Sequence, residues 1–464
     1  MNFNIQFNMI HRSFVFRKYC TGKSFIFILV FLFVSSIAPA QKVWTLQECI
    51  EYALNNNITI KQTEISTEIS DVNYLQNKAA FFPTLNSNGS YSYNFGRSVD
   101  PFTYNFSNSE IQSANISLSS NLNVFSGLQL QNSLSQSKYE YMAGKENLLK
   151  IKNDVALNVA AAYLQVLYSK ESLKLANDRL ESSKQTQIRT KLMVDAGSMA
   201  QGNLLDADAA LAGEELNVIN NENLLKSALI AVTQLLELKT TDGFTVADPS
   251  VDLPDQSALA LSPDEIFNTS LKTLPEFRAS ELNIKVAEKG LSISKGARSP
   301  RLNLFGSIAS GYSNAARNLT GGDVVFGDQL DNNFNKSFGL SLTIPLFNGW
   351  SAESNIKRAR LNLENVRYTD QLTRNQAYKS IFQAHSDATA GLKKYYASEK
   401  AAIANKEALV YAQKKYDVGI LSSIEFLNVK NATSKAESDF LQAKYDLIFR
   451  VKVIDFYLGK PLIF

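Results

Sequence analysis

Residues 114–128, ANISLSSNLNVFSGL, place Ile116, Leu118, Leu122 and Val124 on one side of an extended chain and Asn115, Ser117, Ser119, Asn121 and Asn123 on the other. A period of two then passes directly into a helical period, the mark of a strand running straight into a long helix. The same event recurs in residues 336–350, KSFGLSLTIPLFNGW, where Phe338, Leu340, Leu342, Ile344 and Leu346 form the apolar stripe before the same Phe-x-Gly. A ribbon with one oil-compatible face and one water-compatible face, continued by a rod, leaves few folds open.

The rod is long. No proline interrupts residues 128–195, where Leu148, Ile151, Val155, Val159, Ala162, Val166, Ser169, Leu173, Ala176 and Leu180 recur at coiled-coil spacings of three and four. Gly127 and Gly197 lie 70 positions apart, which as continuous helix is about 100 Å at ~1.5 Å per residue. Asp195-Ala196-Gly197 is the predicted turn, because glycine accepts the left-handed conformation that closes a helix. The returning helix carries Leu204, Leu211, Val218, Leu225 and Val232 at intervals of seven and can pack beside its predecessor.

Upstream, residues 44–80 read as one helix opened by a Thr45/Glu48 capping box and ended before Pro83, since the residue preceding a proline is pushed out of helical geometry. Residues 85–95, LNSNGSYSYNF, alternate again and gather aromatic residues at one end, which suits a tilted membrane strand and its aromatic girdle. Residues 96–113 read as a loop, and residues 240–262, broken by Pro249 and Pro254, as a linker.

Then the whole pattern returns. Thr45, Glu48, Leu54, Glu64 and Pro83 are matched 217 positions on by Ser262, Glu265, Leu271, Glu281 and Pro300, and residues 302–312 match the first strand. Phe125, Gly127, Asp195 and Gly197 are matched 222 positions on by Phe347, Gly349, Asp417 and Gly419, and the heptad returns as Phe426, Thr433, Phe440, Leu447 and Ile454. The change of offset places a net insertion in the second strand-strand loop, residues 313–335. The predicted organisation is a signal segment 1–40, a first repeat 41–255 and a second repeat 256–464. The first holds strands about 85–95 and 114–124 and helices about 128–195 and 200–238; the second holds strands about 302–312 and 337–347 and helices about 350–416 and 421–458.

Composition bears on three points. Arg12, Arg17, Lys18 and Lys23 precede the apolar residues 25–34 and then Ala38-Pro39-Ala40, which reads as a cleaved export signal; the alternative is a transmembrane anchor. Without residues 1–40 the balance of Lys+Arg to Asp+Glu passes from 47 against 44 to 43 against 44, so no basic excess points to nucleic acid. One histidine, His385, and one cysteine, Cys49, then remain, with no phosphate-binding Gly-x-x-x-x-Gly-Lys run and no zinc-type Cys/His spacing. Enzyme chemistry is disfavoured, and no cofactor or metal is expected.

Four strands cannot close a transmembrane barrel, which needs at least ~8, and unpaired edges cannot face lipid. If these strands span a membrane, several copies must share one barrel. A soluble sheet with one buried face competes with this reading, and it requires Tyr91, Leu118, Leu304 and Leu340 to be hidden within a single copy. A secreted coiled-coil structural or adhesive stalk accounts for the heptads but not for the paired strands.

The quoted residues resemble those of the TolC-like outer-membrane efflux channels. The resemblance is carried by Pro83-Thr84-Leu85 and Pro300-Arg301-Leu302, by the junction Pro345-Leu346-Phe347-Asn348-Gly349, and by the turn Tyr416-Asp417-Val418-Gly419, in order across residues 44–458. It implies a mostly α fold with a β-barrel portion: two tandem helix-strand-strand-helix-helix repeats. It further implies a homotrimer that shares a twelve-stranded outer-membrane β-barrel continued by a periplasmic α-helical barrel. The implied function is a passive exit duct of a tripartite efflux or type I secretion system. Such a duct is gated at its periplasmic end and opened by a periplasmic adaptor (membrane fusion) protein and an inner-membrane pump of RND, ABC or MFS type. Outer-membrane lipid is the remaining partner.

The resemblance places the pore constriction at Asn203, Asp206, Tyr416, Glu425 and Asn428, where a ring of carboxylates attracts cations. Only Asp206 and Glu425 keep a carboxylate, so a weaker cation site is expected. The family's gate arginine is Leu421 here, Val194 stands at the first-repeat counterpart of Tyr416, and Asn123 replaces the junction proline. The adaptor-contact turns are expected at Ala196, Gly197, Ser198, Gly419 and Ser422.

Overall fold

The computed structural model describes residues 43–99, 104–107, 110–248, 255–318 and 320–461. The export signal expected in residues 1–40, and Pro249 and Pro254 of the expected linker, lie outside them.

Strand β1 (Val43–Trp44) precedes helix α1 (Leu46–Asn56), whose capping box is complete: the Thr45 amide donates to Glu48 Oε2 at 2.9 Å and the Glu48 amide to Thr45 Oγ1 at 3.3 Å. The single helix expected over residues 44–80 is in fact two. Asn57 is extended and caps α2 (Ile58–Ala79), its side-chain Oδ1 accepting from the Thr59 and Ile60 amides while its side-chain Nδ2 donates to the Leu235 carbonyl at 3.2 Å. Strand β2 (Thr84–Asn94) follows Pro83, and the expected loop contains a short hairpin, β3 (Ser98–Val99) with β4 (Phe106–Ser107). Strand β5 (Ile111–Phe125) then runs through Gly127 into α3 (Gln129–Asp195), which turns back as α4 (Gln201–Leu235). Strand β6 (Thr245–Val246) pairs in parallel with β1, so part of the expected linker is sheet, held by the Tyr163 hydroxyl donating to the Ala247 carbonyl at 3.0 Å.

The second half repeats the first: α5 (Pro263–Thr273), α6 (Pro275–Gly296), β7 (Arg301–Ser313), α7 (Phe326–Asn332), β8 (Asn335–Thr343), α8 (Ser351–Asp417) and α9 (Ser423–Tyr457). Corresponding helices in the two halves are equal in length, 11, 22, 67 and 35 residues. Packing thus dictates rod length while the loops differ, as α7, within the inserted segment, shows. Strand β8 stops at Thr343, short of the expected 347, because Pro345 has no amide to give a ladder. At the other end, where β8 has not yet begun, side-chain amides stand in for it: Asn333 Nδ2 donates to the Gly311 carbonyl at 2.7 Å and buried Gln329 accepts from the Ser313 amide at 2.8 Å.

The four long strands form one antiparallel sheet in the order β2-β5-β7-β8. Its register sets Leu118 between Ser87 and Ile308, and Leu304 between Leu122 and Leu340, so the apolar stripes share one face. The other face aligns Asn86, Ser119, Ser307 and Ser337, the last two hydroxyls 2.7 Å apart. A single copy hides neither face: Tyr91 is 63% exposed, Leu118 40%, Leu304 39% and Leu340 66%. This is not the one-sided core of a soluble sheet.

The interior lies among the helices. Cys49, Ile60, Val159, Tyr163, Leu167, Val232 and Ile448 are buried together where α1, α2, α3, α4 and α9 meet. Near the sheet the helices lie side by side as α2-α3-α6-α8, and further away as α4-α3-α9-α8. Among the described residues no helix is long and apolar enough to cross a membrane.

Candidate gate and strand-helix junctions

Both helical hairpins turn on a left-handed glycine, Gly197 at φ +70° and Gly419 at φ +72°. The Gly197 amide donates to the Val194 carbonyl and the Ser198 amide to the Met193 carbonyl, both at 2.9 Å; Gly419 and Ile420 repeat this on Tyr416 and Lys415 at 3.0 and 2.9 Å. These paired five-to-two and six-to-one bonds satisfy the terminal carbonyls and need a residue free of a Cβ penalty at the glycine. Ala196, Gly197, Ser198, Gly419 and Ser422 are exposed, and so are the apolar Val418, Ile420 and Ile424 beside them. Those three carry no periodic signal, which is why the sequence gives no hint of them.

Tyr416 is buried, its ring stacked on Phe426 with centroids 4.7 Å apart at 14°. Ala412 completes the cluster, with Met199, Leu409, Leu421 and Val429 packed around it. Leu421, at the position of the resembled family's arginine, is therefore part of an apolar clasp. The Tyr416 hydroxyl lies 3.4 Å from Thr190 Oγ1 on α3. Beside these two residues, Arg189 pairs with Asp417 at 2.9 Å and ties the first hairpin to the second. Separated by more than two hundred residues, that pair has no sequence signal.

The two expected carboxylates have partners already. Asp206 accepts from the Ser423 hydroxyl at 2.8 Å. Glu425 Oε2 accepts the Ser422 amide at 3.0 Å and the Ser422 hydroxyl at 2.7 Å, while the Glu425 amide returns to Ser422 Oγ at 3.3 Å. This is a capping box, legible as Ser-x-x-Glu in the sequence, and the Ser422 hydroxyl holds the Glu425 carboxyl below the usual carboxylate range. Adjacent Ser422 and Ser423 thus bring Glu425 and Asp206 to the same end of the molecule. Asn203 is half-buried on the first turn of α4, and Asn428 is exposed one turn beyond Glu425. Further up the groove between α4 and α9 stands Lys430, 8% exposed, its ammonium pushed below the ordinary lysine range by burial and partly restored by Glu214.

At the other end of the rods, strand becomes helix through two successive left-handed residues. Gly127 and Leu128 have φ of +62° and +60°, and Gly349 and Trp350 have +62° and +63°. Pro83 and Pro300 end the inbound helices, and both are exposed with Pro345's neighbours Leu346 and Phe347; Phe125 is 43% exposed. Arg298 pairs with Glu353 beside Pro345, Phe347 and Trp350 around a cavity of about 420 Å³. His385, the histidine of the expected mature chain, lies on α8 with Nε2 3.4 Å from the Leu259 carbonyl, a packing contact. Among the described residues no three of His, Cys, Asp and Glu converge to hold a metal.

The profile of the outer membrane efflux proteins matches residues 49–237 and 267–460, one segment for each repeat. The chain belongs to the outer membrane efflux protein family. It is 21% identical over 406 residues to outer membrane efflux protein BepC of Brucella suis biovar 1 (strain 1330), covering 87% of this chain and 83% of that protein. To outer membrane protein TolC of Escherichia coli (strain K12) it is 20% identical over 444 residues, covering 93% and 85%. The CmeC outer membrane channel of Campylobacter jejuni shares the fold with a TM-score of 0.77 at 17% identity, covering 89% of this chain and 85% of that one. This efflux channel therefore resides in the outer membrane, with its strands as the barrel portion and its rods as the helical portion of the fold.

Proposed function

We propose that three copies of this efflux channel close one twelve-stranded barrel and one helical tunnel, forming a passive exit duct gated at the turns and opened by a periplasmic adaptor and an inner-membrane pump. The observation that carries the reading is the pair of open edges on each copy. Strands β2 and β8 flank the sheet with their ladder groups unpaired on the outer side, which lipid does not tolerate. The flanking helices are open as well. Helix α2 exposes Ile58, Ile65 and Val72 at intervals of seven, and α8 exposes Leu361, Tyr368, Phe382, Tyr396, Ile403 and Val410 on a heptad grid. Heptad stripes seek a partner helix, and the stripes on opposite flanks supply one another when copies close into a ring. With four strands from each copy, three copies give the twelve strands proposed.

No chemistry is asked of such a duct; it provides a wetted path lined by the Asn/Ser face. The gate reading draws support from the Tyr416 clasp, the Arg189–Asp417 pair and the two carboxylates at the turns. The adaptor reading draws support from the small and apolar side chains exposed at the same turns. Protein extracted from outer membranes should run as a three-chain complex and form channels in planar bilayers, and Ser198→Cys should crosslink to an adaptor. A monomer released from membranes by carbonate would overturn the shared barrel.

A further inference from the structure

In each repeat the helix entering the sheet and the helix leaving it are tied by acid–base rungs at intervals of seven. In the second repeat Arg374 pairs with Glu281 at 3.2 Å and Arg367 with Glu288 at 3.4 Å, both between α8 and α6. The first repeat carries the images of these rungs between α3 and α2. Lys152 pairs with Glu64 at 3.0 Å, and Lys145 is held above the ordinary lysine range by Tyr141 and, further, by the charge of Asp71. One more step of seven towards the sheet gives the last rung of each repeat, and there the acid is missing: Lys295 stands across from Arg360, and Lys78 across from Lys138. All four are exposed, and among the described residues none of them has an ion pair or a hydrogen bond.

No acid nearby is free to complete these rungs. Residues 72–83, 128–139, 289–301 and 350–363 hold Glu353 as their only acid, and Arg298 takes it. A helix C-terminus attracts a cation and accounts for Lys78 and Lys295, which lie in the last turns of α2 and α6. It does not account for Lys138 and Arg360, each nine residues inside its helix, where facing another cation is repulsive. The rows also fix the side. By sevens Arg360 continues to Arg367, Arg374, Ile381 and Ala388, and Lys138 to Lys145, Lys152, Val159 and Val166. Ile381 and Ala388 are buried against Ile266 of α5, and Val159 and Val166 lie in the core with Leu46 and Cys49 of α1. Those short helices must lie outside a ring that stays open, so the cation rungs face outward too.

We propose that the two cation rungs, Lys78 with Lys138 and Lys295 with Arg360, are seats for anionic phospholipids of the periplasmic leaflet, each pair holding one headgroup phosphate. The inference rests on the shared barrel proposed above, which supplies the outward side and repeats both rungs in every copy. The phosphate takes the place of the missing acid, accepting from a cation on each of two adjacent helices. Depth agrees. Lys138 and Arg360 lie about 13 Å below the first residues of their helices at ~1.5 Å per residue, and long basic side chains reach up towards a headgroup layer roughly 5–8 Å deep. Cations so close beneath a membrane draw negatively charged lipid. A zwitterionic headgroup brings its own ammonium against the pair, so the preference is for lipid of net negative charge.

Trp350, 69% exposed at the start of α8, reports on the lipid beside the second rung, and Trp44→Phe makes it the single tryptophan. The full-length protein is reconstituted in phosphatidylethanolamine vesicles containing phosphatidylglycerol, with bromine on the acyl chains of one lipid or the other. Quenching of Trp350 by brominated phosphatidylglycerol should exceed that by an equal fraction of brominated phosphatidylethanolamine, and titration gives the relative association constant. Lys295→Gln with Arg360→Gln should lower that constant roughly thirtyfold, and about 1 M salt should lower it in the native protein. Glu281→Gln with Arg374→Gln, which removes a lower rung, should leave it unchanged. Equal quenching by the two lipids, or an excess that survives Lys295→Gln with Arg360→Gln, would overturn the seat while a three-chain complex leaves the shared barrel standing. Protein that runs as a single chain would overturn both.

Discussion

If the turns form the proposed gate, Arg189→Ala should open it. The Arg189–Asp417 pair joins the first hairpin to the second at 2.9 Å, with the arginine 51% and the aspartate 24% exposed. Half-exposed ion pairs contribute about 0.2–1 kcal/mol; at ~0.5 kcal/mol per copy, the three copies of the proposed duct would hold its closed state by about 1.5 kcal/mol. Since about 1.4 kcal/mol is a factor of ten, the variant should raise the ratio of open to closed channels roughly tenfold. Planar-bilayer recordings read that ratio directly. They also carry an internal check: raising salt from about 0.1 M to about 1 M shortens the screening length from about 10 Å to about 3 Å, so the native channel should open more often in high salt and Arg189→Ala should respond much less. Asp417→Ala should match Arg189→Ala, and the double variant should add little. An unchanged open probability, or an undiminished salt response in the variant, would refute the idea that this pair latches the hairpins.

Glu425→Gln should weaken block by divalent cations in the same recordings; unaltered block would remove Glu425 from the constriction. The Ser422 hydroxyl holds the Glu425 carboxyl below its unfolded range, so its cap contributes fully above about pH 4.3 and is lost as pH falls through the lower folded value. Amide exchange in the first turn of α9 should accelerate there, and in Glu425→Gln the pH dependence should be flat. Gly127→Ala combines left-handed strain with overpacking against Gly296 and Ser299 and should cost about 2–4 kcal/mol in thermal or denaturant unfolding. Lys430, buried with its ammonium pushed below the ordinary range, contributes least when charged. Lys430→Met should gain about 1 kcal/mol, and the native protein should approach the variant as pH rises from the depressed folded value towards about 10.4.

The rods, the strands and the duplication were legible because each is written in a local period. Leu118 and Leu122 alternate, Val218 and Val232 keep the heptad, and Gly197 and Gly419 mark turns, all within the reach of neighbouring residues. Equal helix lengths followed from matched spacings. The break at Asn57 is not legible in the sequence because an asparagine inside a helical pattern reveals its role only when the Leu235 carbonyl, far along the chain, accepts from its side-chain Nδ2. The Ser422–Glu425 box stood in the sequence as plainly as Thr45–Glu48. Its consequence, that the carboxylate expected at the constriction also caps a helix, needed the atoms.

By itself the sequence determined which face of each strand is oily, how long each rod must be and where it folds back, because these depend on side-chain period and on glycine and proline backbone limits. Tertiary structure alone decided the strand order, the Arg189–Asp417 tie, the apolar clasp around Leu421 and the two edges left open. Those contacts join residues tens to hundreds of positions apart, and the geometry that brings them together arises only when both repeats pack against one another.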